Sequence, residues 1–192
     1  SFGTRRAVDG SGPVVKIQRT EPFLKWVGGK RQLLKTLSAL ITHKSRTYYE
    51  PFIGGGATFF HFADRRRFQK AVLNDMNPEL VNCYTVVRDR LEALVARLDA
   101  YRLEPGWNTQ EHFERVRSAE FDDPVEKAAR TMYLNRTCFN GLYRVNKAGK
   151  FNSPFGKYDN PNLYDAANIQ ACSITLRNFA ELRCGDYSAA VQ

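Results

Sequence analysis

Between Tyr48 and Phe60 the chain reads YYEPFIGGGATFF. Tyr48-Tyr49 has the aromatic character of a strand end, Gly54-Gly55-Gly56 forms a turn nearly free of side chains, and Ala57 to Ala63 can restart as a helix. A strand, a glycine turn and a helix in that order let a ligand approach the backbone closely. Asp75, in LNDMN, follows at the end of a second apolar run, Ala71-Val72-Leu73. An acid about 20 positions after such glycines is where Rossmann-like folds hold a pair of ribose hydroxyls. The glycines do not fit GxGxxG, so a dinucleotide with its pyrophosphate matches poorly. A nucleoside ligand without phosphates fits better, and S-adenosylmethionine is the obvious one. The same residues also suit a tight structural turn followed by a surface acid.

Two further stretches carry chemistry. In PFLKWVGGK, two glycines stand between Trp26 and Lys30, and a helix is expected from Arg31 to His43 with Leu33, Leu34, Leu37, Leu40 and Ile41 as its core stripe. A cation such as Lys30 at that helix start opposes the macrodipole unless it meets an anion, for instance the carboxylate of a bound amino acid. Alternatively Trp26 is a core residue and Lys30 a solvated one. The segment Leu134 to Tyr158, LNRTCFNGLYRVNKAGKFNSPFGKY, interleaves Arg136, Arg144, Lys147, Lys150 and Lys157 with Phe139, Tyr143, Phe151, Phe155 and Tyr158. Leu142 to Val145 and Lys150 to Asn152 are expected to pair as a hairpin across Asn146 to Gly149. Basic and aromatic residues on a hairpin suit phosphate contacts with base stacking or wedging. A basic hairpin with an aromatic packing face is the plainer alternative.

The elements that must position these residues alternate in kind. Residues 1 to 20 are polar, glycine-containing and without helical period, and read as a flexible leader. Pro78 to about Leu103 is a long amphipathic helix or two, with Leu80, Val81, Tyr84, Val87, Leu91, Leu94, Val95 and Leu98 as its apolar stripe, ended by Pro105-Gly106. Thr109 is expected to cap a helix running to Ala119, and Asp122-Asp123-Pro124 to open another running to about Asn135. Asp165 can cap a short helix, and Ala180 to Cys184 reads as a strand ending at Gly185-Asp186-Tyr187. The domain reading is a leader at 1–20, an α/β core at 21–80 and 161–192, and an inserted helix-and-hairpin lobe at 81–160.

Composition bounds the class of function. The 192 residues are 43% hydrophobic and carry a formal charge of +9, with a pI near 9.5. Such an excess suits a polyanionic partner, because each neutralised phosphate releases counterions. No apolar run approaches the ~20 residues of a membrane span. The four cysteines, Cys83, Cys138, Cys172 and Cys184, include no CxxC, so buried reduced thiols are expected rather than a zinc site. The expected setting is intracellular and cytoplasmic, with a monomer as the default.

Together FLKWVGGK, EPFIGGGATFF, LNDMN and the Leu134–Tyr158 segment resemble the Dam-like (D12 class) adenine-N6 DNA methyltransferases, over roughly Pro22 to the C-terminus. The hairpin segment follows that family's signature LNRxxxNGLxRxNxxGxFNxPxGxY almost without departure. The resemblance implies a Rossmann-like, S-adenosylmethionine-dependent methyltransferase core, here with an incomplete sheet, and an inserted helical and β-hairpin DNA-recognition lobe. It implies cofactor contacts from Trp26, Lys30, Phe52, Gly54, Gly56, Asp75 and Asp186. It also implies duplex-DNA contacts from Lys25, Arg136, Phe139, Asn140, Leu142, Arg144, Pro154, Lys157 and Tyr158. Phe139 stands where some relatives carry a wedging tyrosine. The family polarises the adenine amino group with a DPPY-type tetrapeptide, a task of charge stabilisation and base stacking. These 192 residues hold eight prolines, no two adjacent, so no catalytic residue is assigned. The tetrapeptide is expected after Gln192 or on a complementing part or chain. A non-catalytic DNA-binding module, one subunit of a split enzyme, and an RNA or small-molecule methyltransferase are the rivals.

Overall fold

In the computed structural model residues 19–27 and 33–190 are described. Most of the expected leader, and Lys30 with the Gly28-Gly29 turn, lie outside the described residues. Thr20 belongs to the folded part: its N–H and hydroxyl both donate to the Asp64 carboxylate, at 2.9 and 2.6 Å.

The sheet has three parallel strands in the order β1 (Ser45–Glu50), β2 (Phe68–Asp75) and β3 (Ala180–Cys184). Register pairs Ser45 with Phe68 and Glu50 with Leu73, then Ala71 with Ala180 and Asp75 with Cys184. β2 is central, and its unbroken buried run Ala71–Asn74 is the mark of a strand covered on both faces. Helices α2 (Ala57–Asp64), α3 (Pro78–Asp89) and α7 (Ala166–Phe179) pack against this sheet. A second layer, α4 (Leu91–Leu103), α5 (Gln110–Ser118) and α6 (Pro124–Thr137), gathers on α6, which in turn packs on α3. Residue 81, where the inserted lobe was expected to begin, falls inside α3.

Local sequence explains most helix starts. Asn77 caps α3 by accepting from Glu79 and Leu80 N–H, Thr109 caps α5 through His112 N–H, and Asp123 caps α6 through Val125 and Glu126 N–H. Asp165 caps α7 through Asn168 N–H. In each case a side-chain oxygen satisfies N–H groups that have no helical partner. The α7 helix is 14 residues rather than short, since Ile169, Cys172 and Leu176 keep one buried face going for about two turns. Arg90, at φ −136° and ψ 38°, separates α3 from α4, so the long apolar stripe is two helices.

The first helix departs from expectation. It is α1, Leu34–Leu40, and none of its residues is fully buried. Leu37 and Ile41 pack on the core, and Ser38 Oγ lies 2.6 Å from His61 Nε2 of α2. Leu33 and Leu40 are 54% and 73% exposed. This two-turn helix turns its i, i+4 pair to the core and leaves its i, i+7 pair outside.

The core is rich in rings, with Phe59, Phe60, Tyr84, Tyr101, Phe113 and Tyr133 almost fully buried. Cys83, Cys138 and Cys172 are buried, whereas Cys184 is exposed at the end of β3. Burial pushes the Cys138 thiol up to about 11. No helix among the described residues is long and apolar enough to cross a membrane.

Candidate functional site

The carboxyl ends of β1 and β2 open into a cleft of about 930 Å³, the edge at which parallel α/β sheets bind ligands. One wall is the glycine turn between β1 and α2. Gly56, the N-cap of α2, sits at φ 78°, a left-handed conformation that costs other residues energy. A Cβ there would come within 2.5 Å of the Tyr84 hydroxyl. Tyr84 is fully buried and donates to Gly54 O at 2.9 Å, so the tyrosine fixes the turn from beneath. Asp75 fixes it from the side: Gly54 N–H donates to Oδ2 at 3.1 Å and Asn77 N–H to Oδ1 at 3.0 Å. Each carboxylate oxygen keeps further acceptor capacity toward the cleft.

Sequence reasoning missed the residue that gathers the strand ends. Asn74 is fully buried, and its Nδ2 donates to Pro51 O at 3.1 Å and Gly185 O at 2.9 Å. One amide thus spans the exits of β1, β2 and β3. The motif LNDMN contained it, but nothing local distinguishes it from a turn asparagine.

The opposite wall comes from the segment Phe23–Val27 and the end of α6. Trp26 stacks on Tyr143 with centroids 5.1 Å apart and planes 21° apart, while its Cδ1 closes on Gly54. It therefore joins the glycine turn to the hairpin as well as lining the cleft. Lys25 and Arg136 line the same cleft. Arg136 donates to Phe23 O at 2.7 Å, and burial holds its guanidinium below the ordinary value. Asn135, also missed, is fully buried. Its Oδ1 accepts from Lys25 N–H at 2.9 Å and its Nδ2 donates to Lys25 O at 2.7 Å. Gly141 leaves the room this needs, since a Cβ there would meet Lys25 Cδ at 2.5 Å.

The hairpin forms through isolated bridges rather than strands. Val145 pairs antiparallel with Phe151 and Cys138 with Phe155, and Asn146 closes the turn through its side chain to Ala148 and Lys150 N–H. Its aromatic residues mostly face inward, contrary to a row of stacking rings. Tyr143 and Phe151 are buried and pack on each other at 5.0 Å, with Phe151 and Phe155 against Phe113. Apolar rings beside a helical layer gain more from burial than from solvent exposure. Phe139 alone of the large apolar rings here stays outward, 52% exposed, beside Asn140 at φ 57°. Arg144, Pro154 and Lys157 are exposed, and Leu142 and Tyr158 half-buried. Pro154 O accepts from Phe139 N–H at 2.9 Å, tying that tip to the returning strand.

Of the other expected cofactor residues, Phe52 lines the cleft. Phe52 and Tyr187 are 54% and 58% exposed, with rings 6.4 Å apart. Asp186 is outside the cleft lining; its carboxylate accepts from Ser188 N–H at 3.0 Å, which holds it below the usual carboxylate range. β3 ends at Cys184, and Gly185 N–H donates to Asp75 O at 3.1 Å just before Asp186 is reached. No metal-holding group of His, Cys, Asp and Glu occurs among the described residues.

Residues 26–192 match the family model for D12 class N6 adenine-specific DNA methyltransferases. The chain belongs to that family. This D12 chain is 44% identical over 178 residues to the type II methyltransferase M1.LlaDCHI of Lactococcus lactis subsp. cremoris, covering 89% of the chain and 60% of the relative. It is 37% identical over 182 residues to the type II methyltransferase M.MjaIII of Methanocaldococcus jannaschii, covering 87% and 62%. It is 33% identical over 139 residues to the DNA adenine methylase of Haemophilus influenzae, covering 71% and 47%. The D12 chain thus spans about 60% of the length of the first two relatives.

Proposed function

We propose that this chain is the cofactor-binding and DNA-recognition part of an enzyme that moves a methyl group from S-adenosylmethionine to N6 of adenine in duplex DNA, at a short sequence. One observation carries the reading: the glycine turn with Asp75 and the cationic pair Lys25 and Arg136 line one cleft. A nucleoside cofactor and a phosphate backbone would meet there. The residues fit the cofactor, because Asp75 retains acceptor capacity beyond the turn it holds and lines the cleft beside the Gly54–Gly56 backbone. Asp75 would accept from the ribose hydroxyls, the Gly54–Gly56 backbone and Trp26 would line the nucleoside, and Phe52 and Asp186 would close the rim. Lys30 would hold the methionine carboxylate. The bound cofactor supplies an electrophilic methyl group on sulfur.

The DNA side falls to the lobe at 81–160, with α3 shared between lobe and core. Arg136, Arg144, Lys157 and Lys25 would contact phosphates and base edges, and Asn140, Leu142, Pro154 and Tyr158 would shape the approach. Phe139 would stack or wedge in the duplex. The adenine amino group is a weak nucleophile, so its polarisation needs acceptors as charge develops, and the described cleft offers no dedicated pair. A complementing part or chain carrying a DPPY-type tetrapeptide would supply them. The edge of β1 away from β2 is unpaired among the described residues, which suits an added strand. The 192-residue chain alone is then inactive, and its setting is intracellular at the DNA.

Calorimetric titration of the chain with S-adenosylmethionine and with duplex DNA tests this reading. Binding of both, with cofactor affinity lost in Asp75→Ala, supports it. DNA binding with no cofactor affinity at all would favour a non-catalytic DNA-binding module.

A further inference from the structure

The cleft lies at the carboxyl end of the sheet, yet a second group of cations lies at the other end. Lys44 and Arg46 flank the start of β1, and Arg65, Arg66 and Arg67 lead into β2. Two bonds lock these entrances together. Ser45 N–H donates to Arg67 O at 2.8 Å, and the Arg67 guanidinium donates to Thr42 O at 2.6 Å. Between them lies a hollow of about 760 Å³ lined by Lys44, Arg46 and Arg66, with Phe68 and Phe179 as its floor. Those rings meet edge to face at 5.6 Å. Lys44, Arg46 and Arg66 are all exposed.

The acids of the surrounding elements are already engaged. The Asp64 carboxylate takes both donors of Thr20. Glu181 is held by Lys70 at 2.6 Å and Arg183 at 2.8 Å. No ion pair between an acid and Lys44, Arg46 or Arg66 occurs among the described residues. Three cations face solvent over a shallow hollow without an acid paired to them among the described residues, the arrangement that attracts a polyanion. The β2 strand separates this hollow from Asp75 by about 23 Å, at ~3.3 Å per residue. A duplex lying across the cleft at one edge of the sheet does not rest in the hollow at the other.

We propose that this hollow is a second, sequence-indifferent site for the phosphate backbone of duplex DNA, engaging a segment other than the one in the cleft. Three guanidinium or ammonium groups neutralise up to three phosphates, so binding here has a log–log salt slope of about −2.7. A protein with two such sites passes between duplexes without first becoming free. This inference goes beyond the cleft and does not depend on methyl transfer.

The test compares three forms of the 192-residue chain by fluorescence anisotropy on a labelled duplex of random sequence. They are the wild type, the triple variant Lys44→Gln/Arg46→Gln/Arg66→Gln, and the cleft variant Lys25→Gln/Arg136→Gln/Arg144→Gln/Lys157→Gln, which removes every cation assigned to the duplex at the cleft. The cleft variant is expected to retain salt-sensitive binding with a slope near −2.7, and adding the triple change to it to remove that binding. Release of prebound duplex should accelerate with unlabelled competitor in the wild type and not in the triple variant. Equal affinity, slope and release rate in wild type and triple variant overturn the proposal. A cleft variant with no residual duplex binding overturns it as well, while leaving the reading of the cleft intact. Should the triple variant melt early, Lys44→Arg/Arg46→Lys/Arg66→Lys separates charge from fold: it must bind as the wild type does, and loss of binding there refutes the site.

Discussion

Gly56→Ala against Gly149→Ala separates a left-handed backbone from the contact built around it. Both glycines are left-handed, at φ 78° and 75°, so alanine is strained at either position, by about 1–2 kcal/mol before the unfolded chain's lost freedom offsets part of it. They differ in surroundings. A Cβ at Gly149 meets nothing within 4 Å, whereas one at Gly56 lies 2.5 Å from the Tyr84 hydroxyl and 3.1 Å from Phe60 Cε2. Tyr84 is fully buried and cannot swing into solvent. Its bond to Gly54 O therefore breaks, leaving a buried hydroxyl unsatisfied, at about 1–3 kcal/mol, and overpacking adds about 1–3 kcal/mol. The expected losses are about 1 kcal/mol for Gly149→Ala and about 3–7 kcal/mol for Gly56→Ala. Urea unfolding followed by far-ultraviolet circular dichroism measures both, on variants with matching slopes. Equal destabilisation by the two substitutions would refute the claim that Tyr84 braces the turn from beneath.

Other perturbations probe the remaining parts. Asp75→Ala should weaken S-adenosylmethionine binding on the order of 10²-fold, the worth of one or two hydrogen bonds to a charged acceptor, and calorimetry showing unchanged affinity would remove the ribose assignment. Asn135→Ala should lower stability by about 2–4 kcal/mol by stripping Lys25 of both backbone partners; a denaturation midpoint within error of wild type would contradict the clamp. Glu104 should contribute to acid sensitivity. Burial raises its pKa, but the hydrogen bond from His112 and the charges of His112, Arg97 and Arg115 outweigh this and hold it below the ordinary carboxylate value. A depressed folded pKa stabilises above the unfolded value and is lost as pH falls through the folded one. Wild type should therefore lose more stability than Glu104→Gln below about pH 4.5, and parallel pH profiles would count against the network.

The parts legible in the sequence are those governed by neighbours. Asn77, Thr109, Asp123 and Asp165 stand directly before helices, and capping is decided within three residues. Strand β3 and the glycine turn are likewise local patterns. What sequence left open depends on contacts across the chain. Asn135 bonds to Lys25, 110 residues away, and Asn74 to Gly185, 111 away; both are ordinary asparagines until those partners are in place. Period alone gave α1 a stripe without saying that Leu37 and Ile41 would be the members packed on the described core. In the hairpin, composition offered five rings without deciding which face was inward. Packing on Phe113 took Phe151 and Phe155, and Trp26 took Tyr143, leaving Phe139 outside.

Amide chemical-shift mapping of the isotope-labelled chain tests the shared cleft most directly. With S-adenosylmethionine, the account predicts the largest changes at Gly54, Gly55, Gly56 and Asp75 and at the Trp26 indole N–H; with duplex DNA, at Lys25, Asn140, Arg144 and the Arg136 side chain. Changes from the two ligands confined to separate surfaces, or none at the glycine turn on adding the cofactor, would contradict it.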